Sequence, residues 1–300
     1  MDFLQGIGGM RNYLSRVGWV QFLIQLAVLA PTTVCTSCGT NCTICRRPRA
    51  IETYRCPKRD CHKRYSLRKG TFFEHFQTRP NKVLEVIAGW ILRYPSRIIA
   101  IETQLDRGTV AHILRRCREL IGEWLIYDSR KIGGLNHVVE IDESAFGRRK
   151  YHRGRRIRTR WVVGGIDRTT KQMFLALAPG GRRNERVLRT ITQKYVRPCT
   201  VIMTDCWKGY RRLHRWGMLY RHHTVNHSRH FVHPRNRDVH TQTIESAWSR
   251  IKRDMRRRIG KMSIQRFETY MVEYMWRTCK TSERELFRSF IEAMQHFYPI

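Results

Sequence analysis

Two short apolar, β-branched runs in this chain each lead into a single aspartate, and a third acidic residue opens a later helical segment. The runs are HVVEIDES, with Asp142, and VIMTDCWKGY, with Asp205, whereas Glu245 lies in HTQTIESAWSRIKR. Runs of this kind predict buried strands, and carboxylates at strand ends can meet at one edge of a sheet. The pattern therefore predicts a sheet that brings Asp142 and Asp205 together, with Glu245 reaching them from a helix.

These acids stand out because the chain is strongly basic. It has 300 residues, with 58 Lys and Arg against 24 Asp and Glu, which gives a net charge of +34. Such a surplus favours a polyanionic partner over general cationic solubility, because each phosphate contact releases counterions. Nucleic acid is the predicted partner. Hydrophobic residues make up 41% of the chain, which excludes a disordered basic tail.

Three converging carboxylates are suitable ligands for Mg²⁺ or Mn²⁺, and two such ions can clamp both oxygens of a phosphodiester reaction. We therefore predict that Asp142, Asp205 and Glu245 are the catalytic residues and the Mg²⁺ or Mn²⁺ ligands.

Other acids nearby are alternatives to this trio. Glu140 shares the strand face of Asp142, and Asp238 precedes the last helix, so both compete for a metal-binding role. Glu143 is predicted to face the opposite side of the strand, and Asp167 fits a turn in IDRTTK.

The order of predicted elements from residue 137 is a three-strand meander, a helix, a strand, a helix, a strand and a last helix. The strands are predicted at residues 137–141, 161–166, 173–178, 201–204 and 221–225, and the helices at residues 184–195, 207–213 and 243–258. This order matches a ribonuclease-H-like α/β domain, a mixed five-stranded sheet with helices. The first and fourth strands are neighbours in that arrangement, which would bring Asp142 beside Asp205.

Six of the ten cysteines lie between residues 35 and 61, and such clustering favours a metal over disulfides. Two close pairs can close a tetrahedral site for one structural Zn²⁺ in a small zinc ribbon. The predicted Zn²⁺ ligands are Cys35, Cys38, Cys56 and Cys61. Gly39 suits the turn after the first pair. Cys42 and Cys45 have equally suitable spacing, so they remain an alternative to Cys35 and Cys38 as the first ligand pair. A further alternative is that some of these thiols bind no metal.

From residue 80 to residue 127 the apolar spacing becomes helical. Residues 98–105 predict a short helix, residues 106–108 a turn, and residues 109–125 a longer helix capped by Asp106 or Thr109. This pattern predicts a helix-turn-helix DNA-binding domain, with an αα-hairpin that has a solvated basic face as the alternative. The predicted DNA contacts on the longer helix are Arg115, Arg116 and Arg118.

Two further basic segments are predicted to contact DNA, the run RRKYHRGRRIRTR and the helix that follows Glu245. Lys252 lies two helical turns after Glu245 on the same face. A solvated loop is the alternative for the run, and a capping role is the alternative for His240. The predicted contacts are Arg148, Arg149, Lys150, Arg153, Arg155, Arg156, Arg158, Arg160, His240, Arg250, Lys252 and Arg253.

The apolar segment at residues 17–30 is too short to span a bilayer and has the length of a signal-peptide core. A buried helix over residues 13–30 is the favoured interpretation, so no membrane partner is predicted. Residues 261–300 predict one or two helices whose apolar stripe favours core packing, with dimerisation as the alternative. The stripe comprises Phe267, Tyr270, Met271, Tyr274 and Met275.

Six segments are predicted. An N-terminal helical segment (1–30) and the zinc ribbon (31–79) precede the helix-turn-helix domain (80–128) and a linker (129–136). The ribonuclease-H-like catalytic domain (137–260) and C-terminal helices (261–300) complete the chain.

Several of these motifs, taken in order, resemble the transposases of the Merlin superfamily and their bacterial insertion-sequence relatives. The matching stretches, between residues 35 and 252, are RCPKRDCHKRYSLRKGTFFE, IDESAFGRRKYHRGR, WVVGGIDR, IMTDCWKGY, VNHSRHFV and HTQTIESAWSRIKR. The resemblance implies a DDE cut-and-paste transposase with the three acids above as its triad. It places the first zinc pair on Cys35 and Cys38. The additional pair Cys42 and Cys45 departs from the family pattern and leaves the zinc ligation open.

The resemblance further implies an enzyme that binds terminal inverted repeats, nicks the transposon ends by two-metal-ion hydrolysis and joins the 3′-hydroxyl ends to target DNA. Its implied cofactors are two Mg²⁺ or Mn²⁺ ions and one Zn²⁺. It implies a homodimer or higher oligomer on double-stranded DNA, and the basic runs predict the nucleus in a eukaryote or the cytoplasm and nucleoid in a bacterium. The alternatives are a domesticated, non-catalytic DNA-binding protein and a ribonuclease-H-like nuclease.

Overall fold

The structure, a computed structural model, describes residues 2–45, 52–127, 131–147, 159–226, 237–256 and 263–300. The chain forms two compact units, one comprising Met1–Trp124 with Lys280–Ile300 and the other comprising Leu125–Cys279. The finer division into six segments stays a prediction. Within the described ranges, no helix has both the length and the apolar character needed to cross a membrane.

The helices are, in chain order, α1 Ile7–Val17, α2 Trp19–Gln25, α3 Pro80–Ile91, α4 Ser96–Thr103, α5 Arg107–Tyr127, α6 Glu185–Tyr195, α7 Gln242–Arg256, α8 Ile264–Thr278 and α9 Glu283–Phe297. The strands are β1 Thr32–Val34, β2 Asn41–Cys45, β3 Thr53–Arg55, β4 Arg64–Ser66, β5 Val138–Phe146, β6 Arg160–Asp167, β7 Met173–Leu177, β8 Val201–Asp205 and β9 Arg221–Val225.

The single helix predicted over residues 13–30 is wrong, because the first unit has two helices there. Gly18 separates α1 from α2 with a φ of 81°, a left-handed conformation that glycine adopts without steric cost. Each helix buries its own apolar residues, such as Met10 on α1 and Phe22 on α2. The apolar periodicity of the whole segment continues across Gly18, so the sequence pattern does not reveal the break.

The cysteine-rich segment forms a sheet of four consecutive antiparallel strands, from β1 to β4. The turn between β1 and β2 contains Gly39 with a φ of 71°, as its predicted role requires. The turns that follow β1 and β3 carry the two cysteine pairs, so this sheet has the architecture of the predicted ribbon.

The predicted helix, turn and helix are present as α4 and α5, which are joined by a turn at Gln104 with a φ of 56°. Asp106 caps α5, because its Oδ1 accepts hydrogen bonds from the backbone N–H groups of Gly108 and Thr109 at 2.7 and 2.9 Å. These are two of the N–H groups that a helix start leaves without intrahelical partners. The longer helix therefore begins at Arg107, two residues earlier than predicted.

The second unit contains a mixed five-stranded sheet with the order β7-β6-β5-β8-β9. Strands β5, β6 and β7 pair antiparallel, whereas β8 pairs parallel with β5 and with β9. This is the predicted ribonuclease-H-like arrangement, with the first and fourth strands adjacent.

Helices cover both faces of this sheet. On one face α6 packs Leu188 and Ile191 against Val139 and Ile141 of β5. On the other face α7 and α8 form a second core, which includes the C-terminal stripe. Core packing is therefore confirmed for that stripe.

The largest differences from the prediction in this unit concern one strand and one helix. Strand β5 runs on to Phe146, because its pairing with β6 continues after its pairing with β8 has stopped. The helix predicted at residues 207–213 is wrong: two short 3-10 turns, Lys208–Tyr210 and Leu213–Arg215, occupy that segment. Gly209 weakens helix formation there and packs its backbone against Leu188.

Candidate active site and metal centre

The sheet places Asp142 and Asp205 side by side. The pairing between β5 and β8 ends at Glu140 and Met203, and each aspartate lies two residues further along its own strand. Because side chains alternate along a strand, both aspartates share a face with those residues. Asp142 thus lies inside a long strand rather than at its end, but beyond the point where β8 pairs with it.

Glu245 lies in the first turn of α7 and is partly buried, and Thr241 Oγ1 donates to its Oε1 at 3.1 Å. Burial raises the pKa of Asp142 to about 6, and the charges of Asp205 and Glu245 raise it as well. The charges of Asp205 and Glu245 therefore act on the Asp142 carboxyl. A cluster of oxygen ligands with excess negative charge has the chemistry that Mg²⁺ or Mn²⁺ requires.

The indole of Trp248 holds the carboxylate of Asp142. Trp248 is 4% exposed, and its Nε1 donates to Asp142 Oδ2 at 3.1 Å. The ring lies over Gly164, the β6 partner of Asp142, and a Cβ atom added at Gly164 would lie 2.6 Å from it. The glycine is needed for this close approach. Trp248 is thus a core residue that also orients the Asp142 carboxylate.

Glu143 projects from the opposite side of β5, as alternation predicts, but it belongs to a polar cluster that sequence reasoning missed. Burial raises the pKa of Glu143 to about 7, while a hydrogen bond from the Tyr210 hydroxyl opposes this shift. Arg183 Nη1 lies 3.8 Å from Glu143, and its guanidinium stacks 3.5 Å from the ring centroid of Trp161. The KGY segment contained no pattern that would link Tyr210 to this strand.

The structure assigns other roles to the alternative acids. Glu140 is fully buried, and its Oε1 lies 2.6 Å from Arg168 Nε, so its charge is already compensated. Asp167 accepts from the backbone N–H groups of Thr169 and Thr170 at 2.8 and 3.1 Å, which is the predicted turn role. Asp238 is exposed in the turn before α7.

The sulfurs of the predicted zinc site lie together in the ribbon. Contacts of 3.6 Å join Cys35 to Cys61 and of 3.5 Å join Cys38 to Cys56. Zinc–sulfur bonds of about 2.3 Å in a tetrahedron give sulfur–sulfur edges of about 3.8 Å, so the four thiols fit Zn²⁺. Among the described residues, this is the only group of three or more His, Cys, Asp or Glu with ligand atoms within 4.8 Å of one another. The three carboxylates are spaced more widely.

The thiol chemistry also distinguishes the ligand candidates. A hydrogen bond with Tyr65 lowers the pKa of Cys35 to about 5, which favours the thiolate that binds metal. Burial raises the pKa of Cys56 to about 12, so its thiolate requires a compensating cation. Cys42 is buried outside the group, where its Sγ contacts the Thr40 carbonyl at 3.8 Å, and burial raises its pKa as well. The geometry therefore favours the first ligand set over one that contains Cys42 and Cys45.

The predicted DNA contacts on α5 do not share one environment. Arg115 is exposed, and Arg116 is partly buried and lies 2.7 Å from Glu119. Arg118 is 8% exposed and donates to the Leu114 carbonyl at 3.2 Å. Arg118 is therefore packed against its own helix, whereas Arg115 is open to a partner, and DNA contact by these arginines stays a prediction.

Around the sheet, Arg250 and Arg253 are exposed on α7, whereas Lys252 is partly buried with its Nζ 5.8 Å from the Phe146 ring centroid. Arg160 lies partly buried over the ring of Phe267. His240 Nδ1 accepts from the Gln242 N–H at 3.3 Å, which is the capping role. Seven predicted contacts lie outside the described residues: Arg148, Arg149, Lys150, Arg153, Arg155, Arg156 and Arg158.

Residues 134–278, which include all three carboxylates, match the family model of the ISXO2-like transposase domain. This match supports a transposase-type domain in the second unit. No curated protein matches the sequence.

Two solved structures share low overall similarity with the chain. One is a cryo-electron microscopy structure of a simian T-cell lymphotropic virus intasome in complex with the PP2A regulatory subunit B56 gamma. It is 10% identical over 66% of this chain and 72% of that chain, with a TM-score of 0.32. The other is the Mos1 strand transfer complex, 11% identical over 74% of this chain and 78% of that chain, with a TM-score of 0.30.

Proposed function

We propose that this chain is a DDE transposase of the Merlin type, which cuts transposon ends and joins their 3′-hydroxyl groups to target DNA. The observation that carries the proposal is the convergence of Asp142, Asp205 and Glu245 from two adjacent parallel strands and α7. The charges of the latter two residues act on the carboxyl of Asp142. The matched transposase domain covers all three elements and supports the same reaction class.

In this proposal Asp142, Asp205 and Glu245 would together hold two Mg²⁺ ions. When bound, the ions stabilise the charge on the attacking and leaving oxygens of the phosphodiester. The protein's own contribution is orientation: Trp248 fixes the Asp142 carboxylate, and the sheet fixes its distance from Asp205. Fixed ligands are what a reaction of this kind requires of the protein.

Basic residues near the acids are proposed to hold the DNA. Burial lowers the pKa of Lys252, whereas the charge of Asp142 raises it, so this cation borders the acidic cluster. Lys252 is suited to contact a phosphate next to the scissile bond. Arg250 and Arg253 lie on the same helix and extend its basic surface towards solvent.

The first unit is proposed to recognise transposon ends. Its Cys₄ group would hold one structural Zn²⁺, and α5 would present Arg115 to the DNA. Because two ends are joined in one reaction, we propose a homodimer or higher oligomer on DNA, with nuclear localisation in a eukaryotic host.

A strand-transfer assay tests the proposal. The full-length protein is mixed with Mg²⁺ or Mn²⁺, labelled DNA that carries candidate transposon ends, and a supercoiled target plasmid. Joined products that disappear in Glu245→Gln and in Asp205→Asn are expected. The matched control is Asp254→Asn, which removes an exposed carboxylate from the same helix and should retain activity.

Other outcomes would replace the proposal. Tight binding of the ends without nicking under either metal would indicate a non-catalytic DNA-binding protein. Metal-dependent cleavage without joined products, and without preference for the ends, would indicate a nuclease instead.

A further inference from the structure

Arg168, the residue directly after β6, joins three separate parts of the second unit. Its Nε donates to Glu140 Oε1 at 2.6 Å, its Nη1 to the Asp238 carbonyl at 2.6 Å, and its Nη2 to the His240 carbonyl at 2.7 Å. Its backbone N–H donates to the Val138 carbonyl at 2.9 Å. One side chain therefore ties the segment that leads into α7 to strand β5.

The second oxygen of Glu140 extends this connection into α7. Glu140 Oε2 accepts from the backbone N–H of Ile244 at 2.8 Å. That group lies in the first helical turn, where N–H groups have no partner within the helix. Ile244 directly precedes Glu245, and Glu140 lies two residues before Asp142 on the same strand face. The Glu140 side chain thus lies between the backbones that carry these two acids.

We propose that Arg168 is a positioning residue, which acts through Glu140 and the 238–240 carbonyls to fix Glu245 relative to Asp142. This inference rests on the function proposed above. Both Glu140 oxygens are occupied by protein donors, so Glu140 orients the metal-binding carboxylates without joining them. A planar guanidinium can bind three diverging acceptors, whereas a lysine ammonium at the same place cannot reach them together.

The second unit offers a matched control for this arrangement. Arg277 Nε donates to Glu273 Oε1 at 2.9 Å on α8, and the two side chains are 7% and 11% exposed. This pair has the same chemistry and similar burial but lies outside the candidate active site. Arg277→Lys should therefore reproduce any general destabilisation that Arg168→Lys causes.

The test uses two readouts on the full-length protein, neither of which needs turnover. Hydrogen–deuterium exchange reports the amides of residues 237–245, including the Ile244 N–H that Glu140 accepts. Calorimetric titration with Mn²⁺ reports the carboxylate cluster, with Asp142→Asn as the blank. If Arg168→Lys does not fold, Glu140→Gln replaces it, because the amide oxygen can still accept from Ile244 but no longer carries the charge that Arg168 pairs with.

In Arg168→Lys we expect faster exchange in residues 237–245 and half-saturation at about 10- to 100-fold higher Mn²⁺, the usual effect of losing a residue that orients metal ligands. Arg277→Lys should change neither readout. If the wild type binds Mn²⁺ and Arg168→Lys binds it with the same affinity, the positioning role is refuted but the proposed function is not. If the wild-type protein shows no Mn²⁺ binding that is lost in Asp142→Asn, the proposed function and the positioning role are both refuted.

Discussion

Replacing Asp142 with Asn should stabilise the metal-free protein, although it removes a side chain that the proposed reaction requires. Burial disfavours the ionised carboxyl of Asp142, and the charges of Asp205 and Glu245 disfavour it further. An asparagine has the same shape without the charge. Its amide oxygen can still accept the hydrogen bond from Trp248 Nε1.

The size of the effect follows from the pKa of Asp142, which rises from 3.8 to about 6 in the folded protein. At 1.36 kcal/mol for each pKa unit, this rise corresponds to about 3 kcal/mol. Below about pH 4 the carboxyl is protonated in both states, so it has no effect. As the pH rises from about 4 to about 6, only the unfolded state releases the proton, and stability is lost. Above about pH 6 the loss is complete.

Urea unfolding of wild-type protein and Asp142→Asn, followed by tryptophan fluorescence, measures this difference. Zinc is kept in the buffer and Mg²⁺ is omitted. At pH 8 the substitution should raise the free energy of unfolding by about 1 to 3 kcal/mol, because a buried amide still loses some hydration. At pH 4 the gain should nearly vanish. Mg²⁺ at pH 8 should stabilise the wild type but not the variant.

The exposed α7 residue Asp254 provides the control, since Asp254→Asn removes a carboxylate without touching the cluster. It should produce no gain that depends on pH. An Asp142→Asn protein that is equally stabilised at both pH values, or destabilised at pH 8, would show that burial and the neighbouring carboxylates do not raise the pKa of Asp142.

Three further changes test other parts of the structure. Cys56→Ser should reduce bound zinc from one per chain to near zero in a chelator assay, whereas Cys45→Ser should leave it unchanged; zinc loss in both would reopen the ligand set. Gly164→Ala should cost about 1 to 3 kcal/mol in urea unfolding, because the added methyl group overlaps the Trp248 ring. Arg115→Ala should weaken DNA binding and reduce the slope of log K against log salt by about 1, and an unchanged slope would exclude a phosphate contact there.

The sheet was predictable because most of its strands contain apolar runs bounded by turn residues. Strand β9 has the predicted bounds, and β8 differs from its prediction by one residue. The errors lie where backbone geometry overrides periodicity. Gly18 divides one apolar segment into two helices, and β5 extends past Asp142 because a neighbouring strand still pairs with it. Neither a left-handed glycine nor a strand partner is visible in the local pattern.

The acidic residues show where the local sequence pattern no longer distinguishes a metal ligand from a structural residue. Glu140 and Asp142 lie two residues apart on one strand face, and spacing alone gives them equal claim to a metal. What separates them is Arg168, which lies 28 residues from Glu140 in the chain and occupies its charge in the fold. Trp248 likewise reaches Asp142 across 106 residues, and only because Gly164 lacks a side chain. Partners at such distances require the tertiary structure.

For the basic residues, by contrast, the sequence contained a signal that separates buried from exposed arginines. In a chain of net charge +34, an arginine carries little information by its charge alone. Arg118 lies four residues after Leu114 and three before Ile121, both of which α5 buries. Helical spacing therefore places Arg118 on the apolar face and Arg115 off it. In so basic a protein, the position of an arginine within the apolar period predicts its burial or exposure better than its membership of a charged run does.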